Sequence, residues 1–533
     1  MDPRTWDADE VRRHLLLGTS PPDREGTSGA GERAMVVGST GPFAQLAGRQ
    51  ALAAGGSAVD AVIATALAQI ALAAGSWVSC AGVFTLMHFA GGAMDSLSAG
   101  FATFAAEDDP ASIPRQPEAS GRTALVPGFM AGIEAAHRRF GRLPWADLFA
   151  PAIFVAEQGF PVGAGRAAQF ALRKDVLPAG FQAVEGDAFR QPDLARTLRA
   201  VAAEGAEWMY RGPWAREFVG VVRDAGGKAT LADLAAYEPV WATPLTVDFH
   251  GAQVHTVGRP HHGGAALVAA LRRAEGVGDP LTDPAALREL IGIARQAMRP
   301  GSHSDFVLAV DSHGAVAATC HSINTSLWGT SGLFAGGVSI PDAASFQQVA
   351  LAELGPGEHL PSPVNPAIAL RDGMPVLASS SIGAGLHCAT VQCLHAVLGL
   401  GVGVADAVRR PLFHGLDYLA GDSVVTPLQD RLQGKRFGST WQQAVQRARG
   451  AGVPREAMWD AVLTDIPQVI EDGFDPDVLR RTVELGQPLT VRPVTDFALP
   501  RGFWGGISLG DGTSGHRLCG GRTPFSGGTV EGL

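Results

Sequence analysis

Gly301-Ser302-His303-Ser304-Asp305-Phe306-Val307-Leu308-Ala309-Val310-Asp311-Ser312-His313-Gly314 is the stretch on which the fold turns. A hydroxyl residue opens an apolar run that reads as a strand, and the run ends in a polar Asp-Ser-His-Gly turn. A second strand, Ala315 to Thr319, follows at once, so a hairpin is expected in the middle of the chain. Cutting the chain before Ser304 would give that residue a free α-amine beside its own hydroxyl. One residue would then hold both a nucleophile and its base. Such an amine has a reference pKa near ~7.7–8 and can take a proton at neutral pH.

Outward from this hairpin, helical and extended runs alternate. Residues 1–33 are polar and rich in Gly and Pro toward their end, and are expected to form a flexible arm. Met35 to Ser39 reads as a strand. Pro42–Ala54 and Ala58–Ala74 read as helices separated by Gly55-Gly56-Ser57, a stop followed by an N-cap. Ala61–Ala74 is apolar but too short to span a membrane comfortably, so it is expected in the core. Gly82–Phe89 and Ser96–Phe104 read as strands, Met130–Arg139 and Pro144–Gln158 as helices, and Leu245–Thr256 as a strand pair around His250-Gly251. Pro260-His261-His262-Gly263-Gly264 forms a turn before a helix, and Pro284–Met298 is helical again. Asp372-Gly373 joins Ala367–Arg371 to Pro375–Ser380 as a hairpin. The run Ser379-Ser380-Ser381-Ile382-Gly383-Ala384-Gly385 then precedes a helix, Ala389–Leu398. Residues 422–465 are polar and helical and read as an insertion.

The 533 residues allow about two to four domains or one large enzyme unit. A hydrophobic content of 46% is ample for a buried core. The net charge of −10, with no block of Lys and Arg, argues against nucleic acid or an anionic membrane as partner. The five cysteines show no metal-ligand spacing and read as free thiols of a reducing compartment. No apolar signal-peptide segment opens the sequence, so a cytoplasmic location is expected. No cofactor and no metal are expected. His261, His262 and His303 sit in turns without a third ligand and are expected to be solvated or locally bonded.

Five segments, in order, resemble the γ-glutamyltranspeptidase superfamily of N-terminal-nucleophile hydrolases. Ala34-Met35-Val36-Val37 precedes Gly55-Gly56-Ser57-Ala58-Val59-Asp60-Ala61. Val126-Pro127-Gly128 stands with Phe140-Gly141-Arg142-Leu143-Pro144-Trp145 and Ala150-Pro151-Ala152-Ile153. Leu231-Ala232-Asp233-Leu234 stands with Tyr237. Pro366-Ala367-Ile368 precedes Asp372-Gly373 and Pro375-Val376-Leu377. Asp406-Ala407-Val408 precedes Pro411 and Phe413-His414. The resemblance implies an α+β fold, a four-layer αββα sandwich. It also implies a precursor that cleaves itself into a large portion, 34–303, and a small portion, 304–533, which stay together as a heterodimer.

Pairing back from Asp311 places Ser304 at the family's nucleophilic Thr, with Ser302 as the neighbouring candidate if the register slips. Ser keeps the hydroxyl and loses the methyl that restrains χ1. By the same resemblance Ser322 and Asn324 hold the nucleophile's amine and hydroxyl. Gly383 and Ala384 supply the backbone N–H groups of an oxyanion hole. Gly100, Ser362 and Ser381 are the residues expected to face the substrate.

The departures bear on the substrate. Leu97-Ser98-Ala99-Gly100-Phe101 stands where the family carries an Arg that clamps the γ-glutamyl α-carboxylate, and no Lys or Arg lies between Arg49 and Arg115. Losing a bidentate clamp removes most of the affinity for that carboxylate. Gly336-Gly337-Val338-Ser339-Ile340-Pro341 replaces an Asn-Asn-x-x-Asp segment, leaving Asp342 as the nearest acid. Ser362-Pro363 replaces a Ser-Ser pair. These features imply a hydrolase acting on a small molecule other than glutathione. One branch of the superfamily serves 4-alkylproline antibiotic pathways by hydrolysing a C–C bond, and the lost clamp fits it. The rival readings are a γ-glutamyl hydrolase or transferase, or another amidase, and an inactive homologue that binds a ligand or partner.

Overall fold

The computed structural model describes the chain except residues 22, 116–117, 119, 298–303, 326, 352, 418–438, 455–457, 496–499 and 511–517. Ser302 and His303 therefore lie outside the described residues, as do 422–438 and 455–457 of the expected insertion.

The hairpin forms as its sequence dictates. Ser304–Val310 pairs with Val316–Ser322 in antiparallel register, Ser304 opposite Ser322 and Val310 opposite Val316. Asp311 shapes the turn: its carboxylate accepts the N–H groups of His313 at 2.9 Å and Ala315 at 3.1 Å, and Gly314 takes the positive φ of 81°. Every residue of both strands is buried, so this hairpin is covered on both faces.

Two seven-stranded antiparallel sheets account for that cover. One runs Val530–Gly532, Met35–Gly38, Ser304–Val310, Val316–Ser322, Val83–Ala90, Ala93–Ala99 and Val240–Ala242. The other runs Thr27–Gly31, Leu518–Arg522, Phe503–Leu509, Met374–Ile382, Ala367–Arg371, Ala252–Thr256 and Leu245–Phe249. Strand alternation assigns the faces. Phe306, Leu308, Val310, Ala318 and Cys320 meet Ile368, Ala378 and Ile507 between the sheets. Val307, Ala309 and Ala317 turn the other way, onto helices that include Ala58–Leu72, Phe129–Phe140 and Trp145–Gln158. Behind the second sheet, Gly263–Ala274, Pro284–Ala297 and Leu386–Leu394 pack on Ala367, Ala369 and Leu377. The result is the expected α+β sandwich of two inner sheets and two outer helical layers.

Ala58–Leu72 opens on a capping box in which Ser57 and Asp60 exchange backbone N–H bonds. Asp60 also accepts the N–H groups of Arg142 and Leu143, tying the Phe140–Pro144 motif to this helix. Residues before and after Ser304 contribute strands to both sheets, so the large and small portions are interleaved segments rather than separate compact domains.

Three expectations need correction. Residues 1–33 are not simply an arm: Ala8–Leu17 is a helix and Thr27–Gly31 an edge strand of the second sheet. The strand expected over Ser96–Phe104 is Ala93–Ala99, because the chain leaves the sheet at Gly100, where Ala102 bridges to Val126 and His359. The helix expected over Ala389–Leu398 begins earlier, at Leu386, and ends in a wider turn over His395–Gly399.

The sheets approach closely at Gly505, where a Cβ would overlap the Phe306 ring. Gly505→Val should destabilise the fold by about 1–3 kcal/mol, and Phe306→Ala in that background should recover part of the loss. Chemical denaturation of the two single variants, the double variant and the parent checks this. Strictly additive losses would contradict the packing.

Candidate active site

Strand alternation places Ser304 and Ser322 on the inter-sheet face and Asp305 and His321 beneath the helices. Ser304 is 7% exposed and Ser322 1%. The Ser304 hydroxyl donates to Ser322 Oγ at 3.0 Å, and Ser322 Oγ also accepts the Asn324 N–H at 2.8 Å. Asn324 takes φ +53°, a left-handed conformation that Asn tolerates, and this folds the chain back over the strand end. The structure thus brings three of the expected residues into one hydrogen-bonded chain.

Asp305, one residue on, points the opposite way and is fully buried. Its carboxylate accepts from Ser39 Oγ at 2.7 Å, Thr40 Oγ1 at 2.7 Å and Trp77 Nε1 at 2.9 Å. Ser39 Oγ in turn accepts the Phe306 N–H at 2.9 Å. The Arg166 guanidinium lies 4.6 Å from the Trp77 ring centroid and donates to Ser76 and Gln169. Beside Asp305, His321 donates Nε2–H to Gln69 Oε1 at 2.8 Å, and burial pushes it down to about 3, so it stays neutral.

The expected oxyanion turn follows Met374–Ile382, a strand that packs across Ser304–Val310 and Val316–Ser322. Ser380 Oγ crosses the gap to donate to the Thr319 carbonyl at 3.0 Å. Gly383 has φ +86°, and a Cβ there would strike the Arg501 carbonyl, so this position requires Gly. Gly385 N–H donates to Arg501 O and Leu386 N–H to Gly383 O, whereas the N–H groups of Gly383 and Ala384 donate to no acceptor among the described residues.

Of the three residues expected to face substrate, Gly100 and Ser362 are each held through their backbone carbonyls. The Gly100 carbonyl accepts the Tyr237 hydroxyl at 2.5 Å, and the Ser362 carbonyl accepts the N–H groups of His262 and Gly263. Ser381 requires correction. It lies on the opposite face from Ser380 and is bonded by Thr390 Oγ1 at 2.8 Å from the Leu386–Leu394 helix, in the outer layer. Asp342 does not stand in for a substrate-binding acid, because its oxygens accept from Thr325, Thr330 and Ser345 and hold the loop after Asn324. Gly336 and Gly337 pack against the Pro192–Glu204 helix and Trp214.

His261 also departs from expectation. It is 4% exposed rather than solvated, with Nε2 3.3 Å from Thr85 Oγ1. Burial, with His262 and His359 nearby, pushes it down to about 3. Among the described residues no group of three His, Cys, Asp or Glu side chains is arranged to hold a metal ion. No helix among them is long and apolar enough to cross a membrane.

Two facing sheets inside helical layers, with a hydroxyl residue opening a central strand, define the class to which this fold and site belong. The γ-glutamyltranspeptidase family model matches residues 44–302. A glutathione hydrolase proenzyme of Pseudomonas aeruginosa is 36% identical over 236 residues, 41% of this chain and 42% of that relative. The chain spans 42% and 28% of the lengths of this relative and of the glutathione hydrolase proenzyme of Bacillus subtilis. Among solved structures, a cephalosporin acylase from Bacillus halodurans shares the fold at a TM-score of 0.71 and 20% identity, over 95% of this chain and 97% of that one. An LmbA structure does so at 0.67 and 18%, over 96% and 99%. The chain is thus similar in sequence to the γ-glutamyltranspeptidase family over residues 44–302 and shares its overall fold with the cephalosporin acylase structure.

Burial is the largest influence on Asp305 and pushes its carboxyl up to about 6, while the bonds from Ser39, Thr40 and Trp77 and the charge of Arg166 pull it down. The folded value lies above the ordinary 3.8, so between about pH 4 and 6 the native chain holds a proton that the unfolded chain releases. Ionising Asp305 therefore costs stability as pH rises through that window. The stability of the parent relative to Asp305→Asn should fall by about 2 kcal/mol between pH 4 and 6.5. Denaturation midpoints at the two pH values check this, and a flat or rising difference would contradict it.

Proposed function

We propose that this chain is a self-processing N-terminal-nucleophile hydrolase that acts on a small molecule other than a γ-glutamyl compound. One observation carries the reading: the Ser304 hydroxyl meets Ser322 Oγ on the inter-sheet face, in a sandwich whose facing strand ends in two undonated N–H groups. In self-processing, Ser304 Oγ attacks the carbonyl of residue 303, the acyl group moves from nitrogen to oxygen, and water hydrolyses the ester. The products are a new carboxylate at residue 303 and a free α-amine on Ser304, and the two portions remain interleaved as a heterodimer.

That amine then takes the hydroxyl proton as Ser304 attacks a substrate carbonyl. Charge developing on the carbonyl oxygen is stabilised by the Gly383 and Ala384 N–H groups. The proton passes to the leaving group, and water releases the acyl group from Ser304. Ser322 and Asn324 hold the hydroxyl and amine in place. The same centre suits an amide, as the name of the cephalosporin acylase neighbour suggests. It also suits the C–C hydrolysis of the 4-alkylproline branch, provided the departing carbon leaves as a stabilised enol. Gly100 in place of a cationic clamp supports both over γ-glutamyl transfer. The described cysteines are all buried and unbridged, which suits a reducing compartment such as the cytoplasm.

p-Nitrophenyl acetate should leave an acetyl group on the fragment that begins at Ser304, seen by mass spectrometry, and Ser304→Ala should abolish the adduct. Fully processed enzyme should turn over γ-glutamyl-p-nitroanilide at least ~100-fold more slowly than an enzyme with the Arg clamp. An adduct that survives Ser304→Ala would overturn the assignment of the nucleophile. Brisk γ-glutamyl turnover would restore the transferase reading.

A further inference from the structure

A second polar cluster lies on the same inter-sheet face as Ser304 and Ser322. Val83 stands opposite Ser322, so Thr85 is the diagonal neighbour of Ser322 on that face, roughly 7–8 Å away. Thr85 in turn stands opposite Ser98. His261 comes in from the second sheet, on the turn after Ala252–Thr256, and reaches Thr85 at 3.3 Å. His359 covers the edge, stacked on Tyr237 at 5.2 Å, and Tyr237 binds the Gly100 carbonyl. A Cβ at Gly100 would lie 3.2 Å from Leu360 O and 3.9 Å from Ser98 Oγ, so any side chain there would enter this cluster.

The cluster has unspent hydrogen-bonding capacity. Ser98 Oγ and His261 Nδ1 are buried and have no protein partner, and His359 Nδ1 is likewise unpartnered. Ser98 is 2% exposed and His261 4%. Unpaired buried polar atoms are costly, on the order of 1–3 kcal/mol each, and are kept where a ligand or water completes them. Here Thr85 and Ser98 lie on the face that carries Ser304, two and three strands along from it, with His262 and His359 half-buried. No lysine or arginine pairs with Thr85, Ser98, His261 or His359 among the described residues, and burial keeps His261 and His359 neutral near pH 7.

We infer that Thr85, Ser98, His261 and His359 form the acyl-group subsite of this enzyme and select an uncharged polar group, of the amide or keto class, over a carboxylate. This inference rests on the reading of Ser304 as nucleophile, because it is the acyl chain attached to Ser304 that would extend into the cluster. His261 is the specificity-determining residue. With Nε2 engaged by Thr85, its Nδ1 presents one donor or acceptor, and Ser98 Oγ can supply the complementary one. An anion placed here would lose its hydration without gaining a cation, whereas a carboxamide would satisfy both atoms.

The probes are γ-glutamyl-p-nitroanilide and its α-carboxamide counterpart, which differ only in the charge of the terminal group. Their dissociation constants are measured by ligand-observed NMR on the purified protein. Intact mass, recorded in parallel, reports chain cleavage. The carboxamide should bind about tenfold more tightly than the carboxylate. His261→Phe and Ser98→Ala should each weaken carboxamide binding by about three- to tenfold, with carboxylate binding and chain cleavage unchanged. His261→Asn, which keeps one polar atom, should fall between parent and His261→Phe, and with Ser98→Ala it carries the test if His261→Phe does not fold. Equal or tighter carboxylate binding, no binding of either probe, or variants that leave carboxamide affinity intact would each overturn the subsite. Selective binding by an uncut chain would instead sink the nucleophile reading, and with it the acyl-group role, leaving only a site that prefers the carboxamide.

Discussion

The carboxylate of Asp305 fixes where the central strand begins, and the site is built on that start. Three donors from two separate loops, Ser39 and Thr40 after one strand and Trp77 after the Ala58–Leu72 helix, converge on it. A fully buried carboxylate keeps such partners because ionising it without them is prohibitive. Strand alternation then gives Ser304 no freedom: if Asp305 points into the helical layer, Ser304 must face the gap between the sheets. The hydroxyl pair with Ser322 follows from pairing register, and the position of Asn324 from the left-handed turn that ends the strand.

A chain cut before Ser304 would keep this arrangement. Asp305 and the Ser39 bond to the Phe306 N–H lie on the far side of the cut, and Ser304–Val310 is held by a strand on each flank. The new amine would thus emerge from a strand already anchored, beside a hydroxyl already hydrogen-bonded. Preorganisation of this kind offsets part of what Ser lacks relative to Thr, whose methyl group restrains χ1.

Much of this was legible in the sequence wherever the signal was local. The Asp-Ser-His-Gly turn, the Asp372-Gly373 hairpin and the Ser57 cap each depend on residues within a few positions. The second strand of the hairpin, expected over Ala315–Thr319, runs on to Ser322, and that extension sets Ser322 opposite Ser304. What failed was non-local. Ser381 looked substrate-facing in a run of three serines, but only pairing with Phe503–Leu509 decides that Ser380 faces the gap and Ser381 the helices. The turn around His261 reads as solvated or locally bonded, whereas its partner is Thr85, 176 positions away. Asp305 gave no warning, since its partners lie more than two hundred residues earlier. The Pro-His-His-Gly-Gly run held the one usable hint. Cβ atoms at Gly263 and Gly264 would strike backbone carbonyls, the mark of a turn pressed into the interior rather than lying on the surface.

In the proposed function the reaction centre and the substrate end of the site differ in how far they depart from the family's pattern. Ser304, Ser322 and Asn324 form one hydrogen-bonded chain, to which the proposal adds the Gly383–Ala384 turn as oxyanion donor and, at the substrate end, Gly100 and the histidine cluster as neutral groups in place of a cation. All of this depends on Ser304 becoming an N-terminus. Edman sequencing of the purified protein tests it most directly. Two sequences are expected, one of them beginning Ser-Asp-Phe-Val-Leu. A single uncut chain under every condition, or a new terminus at any other residue, would contradict the assignment.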